Sequence, residues 1–131
     1  MEKRAFRLKA QPRFSELRLE FVVAGRWRLT KPFMYFGDNI NVVVPAGFTT
    51  DFDSVPRIPL LYAAFKGHTT QAAITHDHLY REQSGKAFAD STFLAAMEHE
   101  GLPLRRRLPI YWGVVLFGGP TYKRHGKKKT C

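Results

Sequence analysis

Between Thr75 and Asp90 the chain reads THDHLYREQSGKAFAD, a stretch holding two histidines, a tyrosine and three carboxylates. These are the raw materials of acid–base chemistry. Imidazole titrates near neutrality, and a carboxylate beside it orients the ring and makes it more basic. Residues three and four apart share a helix face. On that rule Ala72, Ala73, His76, Leu79 and Tyr80 form one stripe, with Asp77 at its border, about 100° from His76, and with His78 and Arg81 pointing elsewhere. Past Ser84-Gly85, Asp90 stands one turn before Phe93 on the apolar face of a second helix shared with Leu94 and Met97. A carboxylate turned inward at that place needs donors, and His76 Nδ1–H and the Tyr80 hydroxyl are the natural ones. The chemistry expected is therefore a general base, His76, that activates water and is oriented by Asp90 and Tyr80. Asp77 is left to bind a hard cation, with further oxygens from the loop carrying Asp51 and Asp53.

The elements that must place these residues read as strands first and helices after, an α+β order. Glu16–Ala24 alternates before it becomes continuous, Arg26–Phe36 is β-rich with a proline, and Ile40–Phe48 is a β-branched run ending at Pro-Ala-Gly. Three such runs separated by turn residues predict an antiparallel meander of about three strands. Thr49–Leu61 predicts an extended loop leading into a short helical turn capped by Asp53 or Ser54. QAAITHDHLYREQ and KAFADSTFLAAMEHE then predict two helices in an antiparallel hairpin, broken at Ser84-Gly85 and ended at Gly101. A third helix is expected to begin near Pro109, in its first turn, and to run to about Gly118. One domain over residues 1–122 and a basic tail over 123–131 complete the expected layout.

Composition narrows the classes. A hydrophobic content of 44% argues against disorder. No apolar run approaches the roughly 20 residues of a membrane helix, and the N-terminal MEKRAFRLKAQPRF lacks a signal-type apolar segment, so synthesis in the host cytoplasm is expected. The single cysteine, Cys131, allows neither an internal disulfide nor a four-ligand zinc cage. The formal charge of +10 is concentrated in part at Arg105–Arg107 and Lys123–Lys129. A basic tail attracts polyanions, either an anionic membrane or nucleic acid, although a merely solvated tail reads equally well. His78, His99 and His125 are expected to face solvent, and Tyr111 and Trp112 to serve as core or interface aromatics.

Two resemblances rest on these residues. His76-Asp77-x-x-Tyr80-Arg81, followed after a break by Asp90-x-x-Phe93-x-x-x-Met97, is similar to the paired active-site helices of secreted phospholipases A2, especially bacterial ones. That resemblance implies a general base at His76, calcium in preference to zinc at Asp77, and orientation of the base by Tyr80 and Asp90. It covers about a quarter of the chain. This sequence lacks the disulfides and the glycine-rich calcium loop of that family. VPAGFTTDFDSVPR, AAITHDHLYR and GLPLRRRLPIYWGVVLFGG, from about residue 44 to 119, look like a family of uncharacterised phage and prophage proteins, domain of unknown function 1353. This second resemblance implies a bacteriophage gene, a place in the virion and partners among other virion proteins in an oligomeric assembly.

Two functions of different class stay open at this stage. One is a virion component, tail or connector, in which the polar cluster is a buried brace. The other is a metal-dependent hydrolase of lipid esters or cell-wall material with His76 as general base. An HD-type phosphohydrolase, with His68 and Asp90 as further ligands, is disfavoured by the helix spacing. Ser54 has no base in the local sequence, so a serine nucleophile is unsupported. Exposure of His76 separates the two open functions: a pocket there favours the enzyme, and a ring sealed under Phe93 and Tyr111 favours the brace.

Overall fold

Leu17 and Leu19 are buried while Arg18 between them is exposed, the alternation of a strand with one face toward a core. The computed structural model describes residues 5–23, 26–50 and 70–130. The chain divides into two compact units, Met1–Asp51 and Phe52–Cys131, where the sequence reading draws one domain over 1–122.

The described residues of the first unit hold six strands: β1 (Ala5–Leu8), β2 (Leu17–Val23), β3 (Arg26–Leu29), β4 (Phe33–Phe36), β5 (Asn41–Val44) and β6 (Thr49–Thr50). The first three and β6 form one antiparallel sheet in the order β1-β2-β3-β6, with Leu8 opposite Leu17 and Leu19 opposite Leu29. β4 and β5 form a separate antiparallel pair, with Phe33 opposite Val44. The long strand expected over 26–36 is thus two strands in two sheets. Pro32 has no N–H to give to a ladder. The chain leaves the first sheet at Thr30, whose N–H bonds Arg18 O at 3.0 Å, and pairs afresh from Phe33. Gly47, at φ +89°, turns the chain so that its N–H reaches Leu29 O at 2.8 Å. Phe14 lies in this unit's core, stacked on Tyr35 at 5.1 Å and on Phe33 at 6.2 Å between ring centres.

The second unit is helical: α1 (Thr70–Glu82), α2 (Lys86–His99), α3 (Leu104–Phe117) and α4 (Gly119–Thr130). Strands first and helices after give the α+β class expected. Every residue of α1 from Gln71 to Tyr80 is buried, so α1 is the centre of the unit, with α2 and α4 packed on it and α3 on α2. Both ends of the hairpin close in the same way. Ser84 N–H bonds Leu79 O and Gln83 N–H bonds Tyr80 O after α1, while Leu102 N–H bonds Met97 O and Gly101 N–H bonds Glu98 O after α2. This six-to-one and five-to-two pattern needs a left-handed residue. Gly101 supplies it at φ 90°, and Gln83 supplies it at φ 56°.

Two helix boundaries differ from expectation. α3 begins at Leu104, with Arg106 and Arg107 N–H both bonding Pro103 O, so Pro109 sits inside the helix and not in its first turn. Pro103 stops the preceding turn, and the arginines that follow are good helix formers. Residues 123–130, expected as a tail, continue α4. Tyr122 and His125, three apart, share one face. Tyr122 meets Tyr80 edge-on at 5.0 Å, and His125 is 1% exposed. No helix among the described residues is long and apolar enough to cross a membrane.

The antiparallel hairpin brings the end of α2 to the start of α1. The Glu100 carboxylate accepts from Ala72 N–H at 2.8 Å and Gln71 N–H at 3.3 Å. It thereby satisfies orphan donors of α1, whose own first turn has no acidic residue. Burial raises the Glu100 carboxyl to about 7 from its ordinary 4.5, against the opposing effect of those two bonds. The folded protein therefore holds this proton more tightly than the unfolded chain. The stabilisation linked to it is full below 4.5 and is lost as pH rises through about 7. We expect the urea midpoint to fall across that window in the wild type, and Glu100→Gln to remove that part of the slope. Parallel profiles for the two proteins would contradict it.

Candidate functional site

The centre of the site is one carboxylate. Asp90, in the first turn and a half of α2, is 1% exposed and has three donors around it. His76 Nε2 lies 2.7 Å from Oδ1, the Tyr80 hydroxyl donates to the same oxygen at 2.8 Å, and Lys86 Nζ donates to Oδ2 at 2.7 Å. His76 and Tyr80 are one turn apart on α1, and Lys86 is one turn before Asp90 on α2. Helical spacing therefore aims all three groups at one point. The Lys86 ammonium spends its other hydrogens on Val114 O at 2.9 Å and Val115 O at 3.2 Å, carbonyls in the last turn of α3. One lysine thus ties the negative end of α3 to Asp90.

The protonation states follow from burial and partners. Burial drives the Asp90 carboxyl upward, but hydrogen bonds from His76, Lys86 and Tyr80 outweigh it and hold the group below its ordinary 3.8. Burial lowers the His76 imidazole below 6.5 despite the pull of Asp90, and burial together with Asp90 raises the Tyr80 phenol. At neutral pH the cluster is an ionised Asp90, a charged Lys86, a neutral His76 and a neutral Tyr80. An ionised carboxylate only accepts, so His76 carries its proton on Nε2 and keeps its lone pair on Nδ1. The sequence reading had the carboxylate at Nδ1, so the ring is held by its other nitrogen.

His76 has no exposure. Its ring stacks on Phe93 at 4.6 Å and lies against Tyr80 at 4.1 Å. Asp77 is equally buried and points to a different neighbour, His125 on α4, with Oδ1 and Nε2 3.6 Å apart. Asp51 and Asp53, the other expected metal ligands, and the capping position at Ser54 lie outside the described residues. Among the described residues, no group of three or more His, Cys, Asp and Glu side chains could hold a metal ion. Histidine beside Asp77 also offers nitrogen, where a hard cation such as calcium takes oxygen.

The structure brings His76, Tyr80 and Asp90 together. It also buries two histidines expected in solvent, His78 at 9% and His125 at 1% exposure. For His125 the reason is α4, which covers α1 where a free tail was expected. The sequence reading missed Lys86, whose signal was its place four residues before Asp90. It also missed Gln83, which donates from Nε2 to Tyr80 O and Tyr122 O, both at 2.8 Å. Tyr122 in turn accepts at its hydroxyl from Gly85 N–H at 2.9 Å. Gly118 was missed as well: a Cβ there would stand 2.6 Å from the Tyr80 hydroxyl and 2.5 Å from Val114 O.

The fold and site define a small α+β protein whose helical half is organised on a buried His–Asp–Tyr–Lys cluster. A family model described as "Protein of unknown function (DUF1353)" matches residues 27–114, more than half of the chain, and the chain belongs to that family. The matched region contains His76, Asp77, Tyr80, Lys86 and Asp90. No curated protein and no solved structure matches the chain.

The cluster's geometry sets the stability of three variants. Asp90→Asn turns an amide toward Lys86 or His76 and leaves the ammonium without its counter-charge, which should cost about 3 kcal/mol or more. Lys86→Met leaves the buried Asp90 charge with two neutral donors and no counter-charge, and should also cost about 3 kcal/mol or more. Urea unfolding of both variants checks this, and a cost below about 1 kcal/mol for either would show that the buried pair is not the hub. Gly118→Ala should cost about 1–3 kcal/mol, because the Tyr80 hydroxyl is held by Asp90 and cannot give way. A neutral Gly118→Ala would contradict the tight approach.

Proposed function

We propose that this chain is a non-catalytic structural component of a bacteriophage particle, a tail or connector protein, in which the Asp90 cluster is an internal brace. One observation carries the reading: His76 has no exposure and is stacked on Phe93. A general base must reach the water that it deprotonates, and this ring is enclosed. Every donor around Asp90 is spent on joining α1, α2 and α3, which is the work of a brace. The phage setting is supported by the likeness to phage and prophage proteins over Val44–Gly119. In such an assembly the chain meets other virion proteins, and the +10 charge suits acidic neighbours or packaged nucleic acid.

A second reading has a specific observation in its favour. Asp90 holds His76 by Nε2 and Tyr80 bonds the same carboxylate oxygen, so the imidazole is oriented through its Nε2, as the ring of a water-activating base is. In this reading His76 is the base, Asp90 and Tyr80 are its orienting pair and Asp77 is a ligand to a divalent metal, the phospholipase-like roles drawn from the sequence. In that reading a small opening motion of the described helices precedes any chemistry on lipid esters or cell-wall material.

The test is a hydrolysis assay on phospholipid and peptidoglycan, with and without calcium or zinc, comparing wild type with His76→Ala. It is accompanied by mass spectrometry of purified particles from the genome that carries the gene. The structural reading expects equal background rates and the protein in the particle. A metal-dependent rate that disappears in a folded His76→Ala protein would establish the hydrolase instead, and particles lacking the protein would overturn the virion assignment.

A further inference from the structure

α3 is apolar on both sides. Ile110, Gly113 and Val114 are buried against the rest of the helical unit. On the opposite side Leu104, Leu108, Trp112 and Leu116 follow one another at intervals of four and form a ridge along the helix. Leu104 is 54% exposed, Trp112 53% and Leu116 67%. A helix that is apolar all round is normally covered on both faces. Arg105, two turns before Trp112, is exposed at the start of this ridge and makes no ion pair with another described residue.

The charge decides between occupants. A second copy would bring to the ridge another α3 with three arginines and no acidic residue to offset them, and would join two chains of +10 each. Nucleic acid would meet leucines along most of the ridge and a single exposed ring for stacking. An anionic lipid surface matches every part. Leucine side chains enter the boundary between headgroups and acyl chains, tryptophan settles at headgroup level, and arginines meet phosphates. α3 lies on such a surface and does not span it, since no helix among the described residues is long and apolar enough to cross.

We infer that the outer face of α3 is a docking surface for an anionic bilayer, with Leu104, Trp112 and Leu116 as the inserting groups and Arg105 as the phosphate contact. The site is on α3 itself and not on the basic segment Lys123–Lys129. It is independent of the role given to His76, and it stands or falls separately from the proposed structural function.

The experiment uses the full chain carrying Trp27→Phe, which leaves Trp112 as the single tryptophan. Vesicles of phosphatidylcholine with phosphatidylglycerol are compared with vesicles of phosphatidylcholine alone. Trp112 emission should shift to the blue and the protein should sediment with the anionic vesicles only, with binding that weakens as salt is added. Leu116→Glu should lower the partition coefficient by about tenfold or more. Val43→Glu, the same charge change at a residue 55% exposed on β5, should leave binding close to that of the parent. Circular dichroism confirms that both variants fold. Sedimentation without a Trp112 shift, equal losses in the two variants, or no binding at low salt would each overturn the proposal. So would a wild-type dimer that Leu116→Glu dissociates, because the ridge would then be occupied by a second copy.

Discussion

A carboxylate removed from water is the constraint on which the helical unit depends. Asp90 is ionised and almost wholly buried, and a buried charge without partners is among the most costly features a fold can contain. Its donors come from one turn of α1 and one turn of α2, and Lys86 carries the connection on to the end of α3. The helices can pack only where these groups meet. Gly118 shows how closely the requirement is met, since the Tyr80 hydroxyl fills the space that a side chain there would need. Gln83 extends the same logic to α4 by bonding the carbonyls of Tyr80 and Tyr122 together.

Within this cluster the charge pairing is between Asp90 and Lys86, and the histidine is a neutral participant. That distinction matters for function. A protonated His76 would make a buried ion pair with little nucleophilic or basic capacity, whereas a neutral ring with its proton on Nε2 keeps a lone pair. Enclosure by Phe93 and Tyr80 withholds that lone pair from bulk water. The same residues therefore have the orientation of a base and the accessibility of a core side chain, and the brace we propose rests on the second of these.

Much of this arrangement was legible in the sequence. His76 and Tyr80 share a face by spacing, Asp90 stands before an apolar face, and the short break at Ser84-Gly85 demands a hairpin, so their convergence follows from local rules. The choice of imidazole nitrogen does not follow, because it depends on ring rotation fixed by the stacking of Phe93. Lys86 was hidden because a lysine four residues before an aspartate normally reads as a surface pair; only the end of α3 beside it gives the ammonium an inward role. His125 was hidden inside a lysine-rich segment whose composition resembles a tail, although its spacing from Tyr122 is helical. In the first unit the β-rich run over 26–36 concealed a change of sheet, for which Pro32 was the sole local sign.

The central claim is that Asp90 holds a sealed, neutral His76 by Nε2–H. Nitrogen-15 NMR of the imidazole tests it most directly. The expected spectrum shows the Nε2–H tautomer, with no protonation as the pH is lowered through the ordinary 6.5 while the protein stays folded. A His76 ring that titrates near 6.5, or one that carries its proton on Nδ1, would contradict the account.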